Sequence, residues 1–166
     1  MESLLPTSVA GLPLHPLVVH ATVVLVPLAA VTVLIAAVQP RFRRWAGWLP
    51  LLITGAALVL TPLATSTGEN LEHSLESQGS QSSLVERHAE LGGILIWWVV
   101  PLFVVALATY VLGRRGRRSS GSPADGRSVS PRWLTLVLGV LGVVVPVGTL
   151  VEVVLIGHSG AQAVWG

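Results

Sequence analysis

The sequence predicts an all-α integral membrane protein, a four-helix bundle with both termini outside the cytoplasm. Three observations predict it. Hydrophobic residues make up 52% of the 166-residue chain and charged residues only 11%, whereas a soluble domain carries a charged coat of roughly a quarter of its residues. Four apolar runs follow one another along the chain, each reaching or approaching the ~20 residues that cross a ~30 Å hydrocarbon core. Nine of the ten arginines fall in or beside the two loops on one side, an asymmetry that sets orientation.

The spans are read in order. The first covers about 17–38 and the second about 45–64; the third covers about 91–112 and the fourth about 133–156. They form one domain over 1–166. The runs are continuous rather than alternating, and a backbone in lipid must satisfy its own hydrogen bonds, so helices are expected over a barrel in spite of the many Val and Ile residues. The first run has no basic segment before it and is followed by Arg41, Arg43 and Arg44, which makes it an anchor rather than a cleaved leader. Arg114, Arg115, Arg117, Arg118 and Arg127 occupy the third loop, with Arg132 at its edge. Positive-inside counting places both loops in the cytoplasm. Residues 113–131 are rich in Gly, Ser, Arg and Pro and read as a flexible basic linker near anionic lipid. The opposite loop, 65–87, is acidic, and Leu71 with Leu75 suggests one short helix in it.

Composition also excludes. Without cysteine there is no disulfide, no thiolate metal site, no iron–sulfur ligation and no c-type haem attachment. The basic balance orients a membrane protein and is not a nucleic-acid surface, so no nucleic-acid partner is expected. Absence of Lys beside abundant Ala, Val, Gly and Arg points to a bacterial source, hence a multi-pass protein of the bacterial plasma membrane.

All five histidines (His15, His20, His73, His88 and His158) fall on the side away from the arginines. Interior prolines serve as a depth ruler. Pro27 lies twelve residues after His15, Pro101 thirteen after His88, and Pro146 twelve before His158. At 1.5 Å per residue each histidine then sits roughly 18–20 Å from its proline, in one layer at the outer rim. His20 and Glu152 fall at a second, deeper level, where an ionisable group is costly to leave facing lipid. Both are expected to point into the bundle, either as a polar clasp between two helices or with Glu152 orienting a ligating imidazole. Gly92, one turn below His88, leaves room for a flat ring or a close helix. Gly157 is expected to end the fourth helix, and His73 reads as a solvated loop residue.

Leu14-His15-Pro16-Leu17-Val18-Val19-His20 opens the first span, and Thr67-Gly68 follows the second. His88 with Gly92 and Gly93 begins the third, and Gly157-His158-Ser159-Gly160 closes the fourth. This combination resembles the bacterial membrane family catalogued as domain of unknown function 2231, over almost the whole chain. The resemblance implies a four-helix bundle. It also implies a redox setting, because some members are associated with Rieske-type iron–sulfur partners. No Rieske module is present in this chain.

Three functions follow as expectations. The first is a b-type haem protein, a membrane electron carrier or redox subunit rather than an independent enzyme. It would be ligated by His20 with His88, with His15 and His158 as alternatives. The second is a zinc or copper site built from His15, His88 and His158 with Glu90. The third is a non-catalytic scaffold with histidines as polar glue. The inner halves of the spans carry few polar residues, which disfavours a transport path. Ser159 lacks the strand-to-helix context of a hydrolase nucleophile.

Overall fold

The structure is a computed structural model. It describes residues 8–9, 12–77, 83–119 and 131–165, with side chains for 16–69, 83–115, 131–162 and 165. A two-residue antiparallel pair, β1 (Ser8–Val9) and β2 (Leu12–Pro13), precedes the helices. Then come α1 (Leu14–Val38), α2 (Pro40–Ala46), α3 (Leu49–Ser77), α4 (Ser83–Ile94), α5 (Ile96–Ser119) and α6 (Arg132–Trp165). Four stretches are long and apolar enough to cross a membrane: Pro16–Val38, Leu49–Glu69, Ser83–Arg115 and Arg132–Gln162. The all-α four-helix expectation therefore holds. One end of the bundle carries the arginines of α2, of the last turns of α5 and of the start of α6, and the other carries the histidines.

The four spans close a ring in which α1 packs on α3 and α6, and α5 packs on the same two helices; α4 lies mainly on α6. The core is made of small and branched side chains: Val26, Ala29, Ala30 and Val33 on α1, Ala57 on α3, Val99, Leu102, Val105 and Ala106 on α5, and Val145 on α6. Small residues let backbones approach closely, which is how helices gain packing energy where lipid removes the hydrophobic drive between them. On α6 the buried positions Gly142, Val145, Thr149, Glu152 and Ser159 recur every three, four or seven residues, forming one inward seam. Glycines on that seam admit bulky neighbours. A Cβ on Gly142 would lie 2.7 Å from the Ala37 methyl, and one on Gly148 would overlap the Trp98 ring. Large apolar side chains such as Val24, Leu52, Val104, Leu136 and Val154 face outward instead, as lipid-facing residues do.

Several ends differ from the sequence reading. The first helix begins at Leu14, three residues before the expected start at 17, and Pro16 lies within its first turn. The second span does not start at Trp45, which belongs to the short α2. Gly47, at φ 57° and ψ −112°, turns the chain from α2 into α3, a conformation that favours glycine. Past residue 64, α3 continues to Ser77, so the Leu71–Leu75 stretch continues α3 instead of forming a separate helix. The third span starts at Ser83 and is interrupted at Leu95, whose carbonyl accepts from both Trp98 N (3.0 Å) and Val99 N (3.1 Å). Two adjacent glycines, Gly92 and Gly93, weaken the helix just before that break. Helix α6 passes through Gly157 and Gly160 to Trp165, so Gly157 is no terminator. Of the expected linker 113–131, residues up to Ser119 are helical, and 120–130 lie outside the described residues.

Candidate ligand site at the histidine end

Eight polar or charged side chains are buried among the described residues. The six threonines return their hydroxyls to their own helices: Thr22 to Val18 O, Thr32 to Ala29 O, Thr54 to Pro50 O, Thr61 to Ala57 O, Thr67 to Leu63 O and Thr149 to Val145 O. This is the usual way a hydroxyl is carried inside a membrane helix. Ser159 does the same, donating to Ile156 O at 2.9 Å. Glu152 is the exception: it is 9% exposed, and its Oε1 has no hydrogen-bond partner.

Ser159 makes a second contact that ties two helices together. Its Oγ lies 3.0 Å from His88 Nδ1. A hydroxyl has one proton, and that of Ser159 goes to Ile156 O, so Oγ meets the imidazole as an acceptor. In the Nδ1–H tautomer the imidazole donates this bond, and Nε2 is the nitrogen that keeps a lone pair. The ring lies against α6 at Gly160, where a Cβ would come within 3.0 Å of Cε1. On the α4 side, a Cβ on Gly92 would meet nothing within 4 Å. Half-buried His88 thus meets α6 at Ser159 and Gly160, with open space at Gly92 one turn further along α4. Glu152 lies seven residues, two turns, before Ser159 on the same seam.

The other expected site residues are placed differently. His20 does not point into the bundle. It is exposed, and its Nδ1 lies 2.6 Å from Pro16 O of its own helix. The expected His20–Glu152 clasp is therefore not formed: each group could have relieved the other, yet the imidazole turns along α1 and Oε1 stays unpaired. His158 is exposed beside Ser159, and Glu90 is exposed on α4. The backbone of His15 lies in the first turn of α1 and that of His73 in α3, while both side chains lie outside the described ones. Among the described residues no three of His, Asp or Glu gather closely enough to hold a metal ion. A haem clamp of His20 with His88 does not fit the placement of His20. Of the two, only His88 meets a neighbouring helix. Ser159 and Gly160, read in the sequence as part of the closing motif and not as partners of His88, are the α6 residues that meet its ring. The signal for Ser159 was its seven-residue step from Glu152, which follows the seam and not the tetrapeptide motif.

Helices, apolar surface and buried polar seam together define a multi-pass membrane protein. Its sequence matches, over residues 11–166, the family described as a predicted membrane protein, domain of unknown function 2231, and the chain belongs to that family. No match was found among curated proteins or among solved structures.

Proposed function

We propose that the chain is a membrane-embedded redox subunit that seats a b-type haem at the histidine end, with His88 as its axial ligand and that end outside the cytoplasm. The observation that carries this is the His88 ring, whose Nδ1 lies 3.0 Å from Ser159 Oγ, so that Nε2 is the nitrogen available to a ligand. Ligating imidazoles are commonly oriented in this way, by an outer hydrogen bond that fixes tautomer and ring plane. Haem, when bound, supplies one-electron chemistry. The chain's own part is to hold the imidazole against Gly160, to leave space beside Gly92 and to keep the site between two helices. A redox partner, Rieske-type or other, would approach this end.

The scaffold reading rests on the same hydrogen bond, since it joins α4 to α6. An interhelical polar bond of this kind contributes only about 0.6 kcal/mol. One experiment separates the two. Protein purified in detergent from cells supplied with haem is expected to show a Soret band, lost in His88→Ala and retained in His158→Ala. No band in the parent protein overturns the haem reading and leaves His88 as a clasp.

A further inference from the structure

Helix α4 is lightly seated. None of its twelve residues is buried, whereas α5, which follows it, sinks Val99, Leu102, Val105 and Ala106 into the core. The change from light to firm packing falls where the helix is interrupted. In a continuous helix the Trp98 amide would serve Ile94 O; here it turns to Leu95 O at 3.0 Å. Leu95 is only 7% exposed, so the break is held on its α5 side. On the α4 side stand Gly92 and Gly93. A Cβ on either would meet nothing within 4 Å, so neither glycine is there to admit a neighbour, in contrast to Gly148 under Trp98. What this pair supplies is backbone freedom and a weaker helix.

Among the described side chains, one hydrogen bond fastens α4 to another helix, that between His88 Nδ1 and Ser159 Oγ. Elements that move are drawn from the lightly packed parts of a fold, and their hinges are a few residues at element ends. Fraying alone would loosen the Ser83 end. Light packing along the whole of α4, with glycines and a break at its far end, describes an arm instead. We propose that α4 swings as a unit about Gly92–Leu95, with the His88–Ser159 hydrogen bond as the latch that holds it on α6. Opening parts the His88 ring from Gly160 and uncovers Ser159, which is 6% exposed in the closed arrangement. The arm thus controls access to the α4–α6 contact, and it does so whatever His88 binds.

The chain has no cysteine, so spin labels can be placed at chosen pairs. Glu86→Cys on α4 with Gln162→Cys on α6, both exposed positions, reads the arm by double electron–electron resonance in lipid nanodiscs without haem. Leu107→Cys with Val140→Cys, on the outward faces of α5 and α6, reads the bundle as a control. Two distances are expected for the first pair, the longer one minor, and a single distance for the control. His88→Ala should raise the ratio of long to short about three-fold, the share of one interhelical hydrogen bond in a membrane. Ser159→Ala should do the same, and is read alone should circular dichroism show His88→Ala unfolded. Gly92→Ala combined with Gly93→Ala, for which there is room, should lower the ratio several-fold. One distance in the parent that persists in both latch variants overturns the proposal, as does a ratio indifferent to the two glycines. Equal broadening of the control pair would mean a loosened bundle with no hinge. Haem plays no part in these readings, so their failure and the failure of haem ligation are separate results.

Discussion

Glu152 and His88 show what single side chains contribute at the histidine end. Leaving one buried oxygen without a donor costs about 1–3 kcal/mol, more than the His88–Ser159 bond returns at about 0.6 kcal/mol. Stability alone therefore accounts poorly for this pair, and the place of Glu152 on the α6 seam that also carries Ser159, the partner of His88, fits a site that gains from a ligand. Glu152→Leu is expected to raise the unfolding free energy by about 1–3 kcal/mol in a detergent melt, because it removes the unpaired Oε1. A loss of similar size would mean that the carboxylate holds helices together. The sequence made Glu152 and His88 conspicuous, since ionisable groups inside a membrane are rare. It could not reveal which way the rings turn: His20 had a carbonyl of its own helix in reach at Pro16, and that local bond is formed in place of the longer-range clasp.

Helix α6 organises the elements around it through its glycines. Gly142 lies on Ala37 of α1, Gly148 under Trp98 of α5 and Gly160 against His88 of α4. Gly148→Ala is expected to cost about 1–3 kcal/mol, the usual penalty for overpacking. Combining it with Trp98→Leu should cost less than the sum of the two single changes, as residues in contact do not add. Thermal or denaturant melts of the four proteins measure this, and strict additivity would mean the two do not meet. The existence of these helices was legible from their apolar runs, but their ends were not. Gly157 looked like a stop by local propensity, yet α6 continues through it to Trp165, because one glycine costs only ~1 kcal/mol in a helix. The break at Leu95 was equally hidden: Gly92, Gly93 and Pro101 each weaken the helix, and no single residue announces the interruption.

For the whole molecule, composition alone carried the main conclusion, because a chain with 52% hydrophobic and 11% charged residues has no other medium for its surface. Its polarity is electrostatic, with nine of the ten arginines toward one end and the histidines and glutamates toward the other. A periplasm-active reporter fused after Gly166 is expected to work, and a cytoplasm-active one to fail. The reverse would invert the bundle and place the histidine end inside. What composition could not supply was convergence, which depends on helix rotation about axes whose surfaces are apolar almost all round. The proposed site rests finally on the His88 lone pair. Nitrogen-15 NMR of histidine-labelled protein in lipid nanodiscs reads that state directly, with His88→Gln assigning the signal. The expected result is a proton on Nδ1 and a bare Nε2 that shifts when haem is added. A proton resident on Nε2, or an Nε2 signal indifferent to haem, would contradict it.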